Sequence, residues 1–184
     1  MTGLHYVLLA GLSVEPRSGY ALTQWLERAA RHYWAADGSS IYPALAALER
    51  EGWVAHTLAP SIRGPQRKVY TLTAEGEAAL RTWVVGPVDD ATVRDPLMVK
   101  ALCYDLLPLE QALTQLRSAH ERHAQKLARY EAILRLLDER ETAEPRARRI
   151  GPRLTILRGV RVEAGYVAWC DEAMALLIAE KGRE

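Results

Sequence analysis

The residues best suited to chemistry lie in two short runs. The first is Ser39-Ser40-Ile41-Tyr42-Pro43; the second is Arg63, Arg67 and Lys68, with no acidic residue between Ala59 and Leu72. Hydroxyls and unsatisfied N–H groups at a helix start bind phosphate oxygens with help from the helix dipole. Small side chains let a helix approach base edges in the major groove. Cations on a nearby turn are stabilised by backbone phosphate. The chemistry implied is recognition of double-stranded DNA. The same residues also admit a plainer reading, a serine-capped helix beside a solvated basic loop.

Three further groups stand out. His120 and His123 lie one helical turn apart, a spacing that binds a transition metal if another chain adds a ligand, or that switches with pH. With no Cys or third His nearby in sequence, polar residues at a half-exposed seam explain them more simply, and no metal is expected. Tyr166 and Trp169 can line a pocket for a flat apolar ligand, or can be ordinary core. Cys103 and Cys170 make neither a metal motif nor a disulfide framework and read as two small buried hydrophobes. There is no Gly-rich phosphate loop, nucleophile elbow or paired-carboxylate motif, so neither an enzyme nor a cofactor is expected.

Elements must position these groups. Leu4–Leu12 reads as a short buried helix, and Glu15–Gly19 as a loop. Tyr20 to about Tyr33 has Leu22, Leu26, Ala29 and Tyr33 on one helical stripe. A third helix runs from about Ser40 to Glu51. Ser39 or Ser40 caps it, Pro43 is tolerated in its first turn and Gly52 ends it. Ile41, Leu45 and Leu48 face inward, leaving Ser39, Ser40, Tyr42, Pro43 and Ala46 outward. Trp53–Leu58 and Lys68–Leu72 are β-rich and read as a hairpin whose tip carries the basic residues. Thr73 caps a helix over 74–84.

Three helices, then a basic hairpin, is the winged-helix plan. The motifs Gly19-Tyr20-Ala21-Leu22, Gly38-Ser39-Ser40-Ile41-Tyr42-Pro43-Ala44-Leu45, Leu48-Glu49-Arg50-Glu51-Gly52-Trp53-Val54 and Arg67-Lys68-Val69-Tyr70-Thr71-Leu72-Thr73-Ala74-Glu75-Gly76 resemble the PadR-like transcriptional regulators. Pro96-Leu97-Met98-Val99-Lys100 through Leu106-Leu107-Pro108, with the long last helix, looks like the branch with a virulence-activator-like C-terminal domain. The resemblance implies a winged-helix repressor, dimerised through C-terminal helices, that releases DNA when an effector binds. It implies DNA contacts at Tyr20, Ser39, Ser40, Tyr42, Pro43, Arg63, Arg67 and Lys68. In multidrug-responsive relatives a last-helix tryptophan lines the ligand pocket, which brings Trp169, with Tyr166, forward for a small aromatic effector.

The expected fold class is mainly α with a small β-hairpin. A winged helix-turn-helix over 1–85 and a linker over 86–95 precede a helical dimerisation and effector domain over 96–184. Leu109, Leu113, Leu116, His120, His123, Leu127, Tyr130, Leu134 and Leu137 repeat at alternating spacings of 4 and 3. Such a heptad seam packs within one chain or between two; the resemblance points to a homodimer interface over 109–140 and 153–180. Two-fold symmetry suits an inverted-repeat operator. On the last helix, Leu157, Val160, Ala164, Val167, Met174 and Ile178 form one apolar stripe, and Val162, Tyr166, Trp169, Ala173 and Leu176 a second.

Composition limits these readings. The chain has 184 residues, is 49% hydrophobic and carries a net charge of +1. That excludes disorder but lends no global basicity to DNA binding. Up to Val84 there are eight Lys and Arg against seven Asp and Glu. The alternative is therefore a winged-helix interaction module that acts through its C-terminal helices without DNA; a ligand sensor whose pocket outweighs its operator is a third reading. No apolar run approaches a membrane span, and the N-terminus lacks a basic region and cleavage site, so a cytoplasmic protein away from membranes is expected.

Overall fold

Helix α1 (Gly3–Leu12) is almost wholly apolar and too short to stand alone. It is buried instead: Val7, Leu8, Leu9 and Leu12 share a core with Leu22, Leu26, Ile41, Ala44, Leu45, Leu48, Val54 and Tyr70. The structure, a computed structural model, describes residues 1–27, 34, 38–60, 66–88, 94–143 and 150–181. The expected stripe positions Ala29 and Tyr33, and the hairpin-tip residues Arg63, Gly64 and Pro65, lie outside them. The chain forms two compact units, Met1–Asp90 and Ala91–Glu184.

In the first unit, the expected loop before the second helix contains a two-residue strand, β1 (Arg17–Ser18). So short a strand shows no alternation in sequence. It exists through pairing with β3 (Arg67–Leu72), Arg17 opposite Tyr70 and Ser18 opposite Val69. Ser18 Oγ then accepts the N–H of Ala21 at 3.2 Å and caps α2 (Gly19–Trp25). Helix α3 (Gly38–Arg50) begins before either expected serine cap, so Ser39 and Ser40 lie in its first turn and Pro43 in its second. Pro43 removes one rung of the helical ladder there. Past its end, Gly52 takes φ +73, and N–H bonds from Trp53 to Leu48 O (2.9 Å) and from Gly52 to Glu49 O (3.0 Å) close it in a Schellman turn.

The hairpin supplies two strands of a three-stranded antiparallel sheet ordered β1-β3-β2, with β3 central and β2 (Val54–Ala59) at an edge. Helix α4 (Ala74–Val84) is capped by Thr73, whose Oγ1 accepts from Gly76 N–H at 3.0 Å and donates to Gly52 O at 2.7 Å. A Cβ on Gly76 would lie 2.0 Å from the Trp53 carbonyl oxygen, so only glycine fits this crossing.

In the second unit Asp95 caps α5 (Pro96–Ala101), accepting the Leu97 N–H at 2.9 Å. The helix expected to reach Leu106 stops five residues sooner and gives way to a 3-10 turn over Tyr104–Leu106. That turn buries Tyr104 against Ala112 and Leu116, with Trp169, Ala173, Met174 and Leu177 packed around them. Two long helices follow, α6 (Leu109–Ala143) and α7 (Ile150–Lys181). They run antiparallel, with Tyr130 over Gly159 and Asp138 paired to Arg153. Near the end of α7, Lys181 Nζ donates to the carbonyls of Tyr104 (3.1 Å), Asp105 (3.3 Å) and Leu107 (2.7 Å).

The heptad seam faces α7 of the same chain: Leu113 and Leu116 are buried and the other seven positions half-buried. The face of α7 turned inward is neither expected stripe. It runs between them, through Ile156, Gly159, Glu163 and Cys170. A glycine that admits a ring and a glutamate matched to a histidine carry no apolar signal. Cys170 is buried, and burial pushes its thiol up; Cys103 is exposed, contrary to the expectation for it. Among the described residues no helix is long and apolar enough to cross a membrane.

Candidate nucleic-acid interface and aromatic cleft

Helix α3 sorts its side chains by period. Ile41, Ala44, Leu45 and Leu48 are buried, whereas Ser39, Tyr42, Pro43 and Ala46 are exposed and Ser40 is half-buried. Its outward face thus carries small side chains apart from Tyr42, which is 56% exposed. Gly19 places Tyr42: a Cβ there would come within 2.6 Å of the Tyr42 ring. The ring therefore lies over the start of α2, next to the exposed Tyr20, whose hydroxyl accepts from Gln24 Nε2 at 2.7 Å. Ser39, Tyr42 and Pro43 are exposed on α3, and Tyr42 meets the start of α2 beside the exposed Tyr20.

On the sheet, Arg67 and Lys68 are exposed at the start of β3, opposite Ala59 and Leu58. Lys68 Nζ lies 3.7 Å from Glu49 Oε2, and the other Glu49 oxygen pairs with His56 Nδ1. The His56 bond holds the Glu49 carboxyl below its usual range, with lesser help from Lys68. This link from the end of α3 to both strands was not anticipated. Its signal is present nonetheless: in register, His56 opposes Tyr70 and Leu58 opposes Lys68, so all four share one face of the sheet. Tyr70 is buried beneath it, and burial, then the Glu49 charge, pushes its hydroxyl up.

In the second unit, an open cleft of about 270 Å³ is lined by Asp95, Met98, Val162, Gly165, Tyr166 and Trp169. It contains both expected ligand residues, Tyr166 and Trp169. The Tyr166 hydroxyl donates to Asp95 Oδ2. That bond is the main reason the Asp95 carboxyl sits below its usual range, and it pushes Tyr166 up to about 12. Behind the cleft the Tyr166 ring stacks on His123, centroids 4.2 Å apart and planes within 11°. His123 Nδ1 meets Glu163 Oε2 at 2.5 Å, and Lys126 Nζ stands 4.0 Å from Glu163 Oε1. His120 is 3.4 Å from Asp171. Each seam histidine therefore faces a carboxylate of α7. Among the described residues no three His, Cys, Asp or Glu side chains converge as metal ligands.

Residues 8–82 match the PadR-like family of transcriptional regulators, and residues 93–177 match the virulence activator alpha C-terminal domain. The negative transcriptional regulator PadR of Bacillus subtilis is 28% identical, over 96% of this chain and 98% of that protein. The crystal structure of Bacillus subtilis PadR in complex with operator DNA superposes with a TM-score of 0.82 at 25% identity, covering 96% of this chain and 99% of that one. The same protein in complex with p-coumaric acid gives a TM-score of 0.72 at 25% identity, with 95% and 98% covered. The Vibrio cholerae virulence activator AphA gives a TM-score of 0.71 at 26% identity, with 97% and 99% covered. These relatives are transcriptional regulators, not enzymes.

Proposed function

A chain built from a PadR-like domain and a virulence activator alpha C-terminal domain belongs with the PadR-like transcriptional regulators, and on that premise we propose that it is a homodimeric repressor that binds an inverted-repeat operator and is released by a small aromatic effector. The observation that carries the reading is the outward face of α3. Ser39, Tyr42, Pro43 and Ala46 stand exposed over a buried line of Ile41, Ala44, Leu45 and Leu48, the division a helix needs to enter a major groove. Tyr20 and the half-buried Ser40 flank that face and take phosphate. Arg67 and Lys68, with Arg63 at the tip, follow the flanking backbone.

The dimer contact moves from the heptad seam, which α7 already covers, to apolar residues left outside. On α5, α6, α7 and the turn between α5 and α6 these include Val99, Leu102, Leu106, Leu136, Ile150, Leu154, Leu157, Leu176 and Ile178, all exposed. Exposed apolar side chains favour association where they adjoin one another. The effector site is the cleft at Tyr166 and Trp169. We place the protein in the cytoplasm, where its operator is.

Selection of sheared genomic DNA by the purified chain at physiological salt tests the reading. Enrichment of a short inverted repeat bound by two chains, lost in Tyr42→Ala, supports it. A folded chain that enriches nothing, or that sediments as a monomer at micromolar concentration, overturns it.

A further inference from the structure

Among the described residues six line the cleft; five carry no charge, and the sixth, Asp95, is an acid. Met98 and Val162 form apolar wall, and Tyr166 and Trp169 offer ring faces. A thioether and aromatic faces favour a polarising cation over an anion. Gly165 leaves room beside them, since a Cβ there would meet nothing within 4 Å.

Asp95 remains a carboxylate in this setting. Its Oδ1 accepts from the Leu97 N–H at 2.9 Å, and its Oδ2 accepts from the Tyr166 hydroxyl. The Met98 backbone is a third donor; a carboxylate has about four acceptor positions, so three neutral donors leave it charged and not fully engaged. The other ionic groups described nearby, His123, Glu163 and Lys126, stand behind the cleft and not in its lining, and His123 acts on Asp95 as well. Glu163, one turn before Tyr166, is answered by His123 at 2.5 Å and by Lys126 at 4.0 Å. Among the described residues no lysine or arginine lines the cleft to receive an anion.

We propose that this cleft takes flat organic cations and rejects aromatic carboxylates, with Asp95 setting the preference; the proposal rests on the effector reading above. A planar cation lies against Trp169 and Tyr166 with its charge towards Asp95. An aromatic acid of the same outline brings two carboxylates together with no cation between them, a rejection built from repulsion. The chain thus differs in effector class from its relative that holds p-coumaric acid.

The test uses three probes built on a fused six-six aromatic bicycle, at pH 8 without DNA: N-methylquinolinium (cation), quinoline (neutral) and 1-naphthoate (anion). Affinities for the full chain are read by calorimetry and tryptophan fluorescence. N-methylquinolinium is expected to bind at least about tenfold more tightly than 1-naphthoate, or about 1.4 kcal/mol. Asp95→Asn keeps a capping side chain for α5 and removes the charge. It should abolish the cation preference, bringing the N-methylquinolinium and 1-naphthoate affinities together. Tyr166→Phe, which retains the carboxylate, should retain the preference. If all three probes bind equally and are lost together in Trp169→Ala, the cleft is an effector site but its charge preference is refuted. If none binds at millimolar concentration, the effector reading fails and this proposal with it.

Discussion

Replacing His123 by leucine would leave Glu163 charged in the interface between α6 and α7. The side chains of His123 and Glu163 are 14% and 11% exposed, and they meet at 2.5 Å. Removing one partner of a buried pair costs about 3–5 kcal/mol, because the remaining charge is desolvated without compensation. Here Lys126 survives as a second partner at 4.0 Å, but it is 55% exposed and well screened. The expected cost of His123→Leu is therefore about 2–3 kcal/mol, slightly below the fully buried case. Adding Glu163→Leu removes the stranded charge and fills its space with apolar atoms, and should restore most of that stability. The assay is urea unfolding followed by circular dichroism, at fixed protein concentration because association adds to apparent stability. A cost below about 0.5 kcal/mol for the single variant, the range of ordinary surface changes, would refute the reasoning. So would a double variant as unstable as the two single costs added together, since the pair must couple.

Gly76→Ala should cost more than 2 kcal/mol in the same assay, because its Cβ would lie 2.0 Å from the Trp53 carbonyl and backbone must move; a neutral result would refute that crossing. Tyr166 is pushed up to about 12 by its bond to Asp95, so its protonated form is favoured in the folded chain. Its contribution is whole below the ordinary tyrosine value near 10 and is lost as pH rises through about 12. Ultraviolet titration should find late tyrosines in the native chain, Tyr70 and Tyr104 among them through burial, and Asp95→Asn should bring only the Tyr166 step back towards the ordinary value. Asp95 has the opposite sign: its carboxyl is held down, and its contribution is lost as pH falls below the usual carboxylate range. Arg67→Ala should weaken binding to every DNA sequence alike and lower the salt slope by about one unit, the signature of one lost phosphate contact; a loss confined to operator DNA would show that it reads bases.

What was legible in the sequence followed local period and local punctuation. The inward line of α3, the Thr73 cap and the stop at Gly52 each depend on residues within a turn or two of one another. What was illegible depends on partners far along the chain. β1 exists only because β3 lies beside it. The α3 boundary shifted because the helix extends past both serines to Gly38. The buried line of α7 escaped because two of its members, Gly159 and Glu163, are buried for their match to Tyr130 and His123. The cleft was half legible. Tyr166 and Trp169 are aromatic and one turn apart on α7, whereas Asp95 reads locally as a helix cap and joins them only across 71 positions of sequence.

The near-neutral charge of the first unit argued against a polyanionic partner, and the structure changes the weight of that objection. Glu49 stands close to Lys68 but already holds His56 through its other oxygen. Lys68 and Glu49 are 49% and 31% exposed and 3.7 Å apart, a loose surface pair. Such a pair contributes about 0–1 kcal/mol and weakens further with salt. In the proposed complex a phosphate exchanges for Glu49 at little cost, while His56 remains to satisfy the carboxylate. A count of charges along the chain treats Glu49 as cancelling a cation on the sheet. The geometry instead has it joining the end of α3 to both β2 and β3, which fixes the spacing between the recognition face and the cations beside it. The acid in the middle of the proposed interface is then a positioning residue, and local arrangement outweighs net charge.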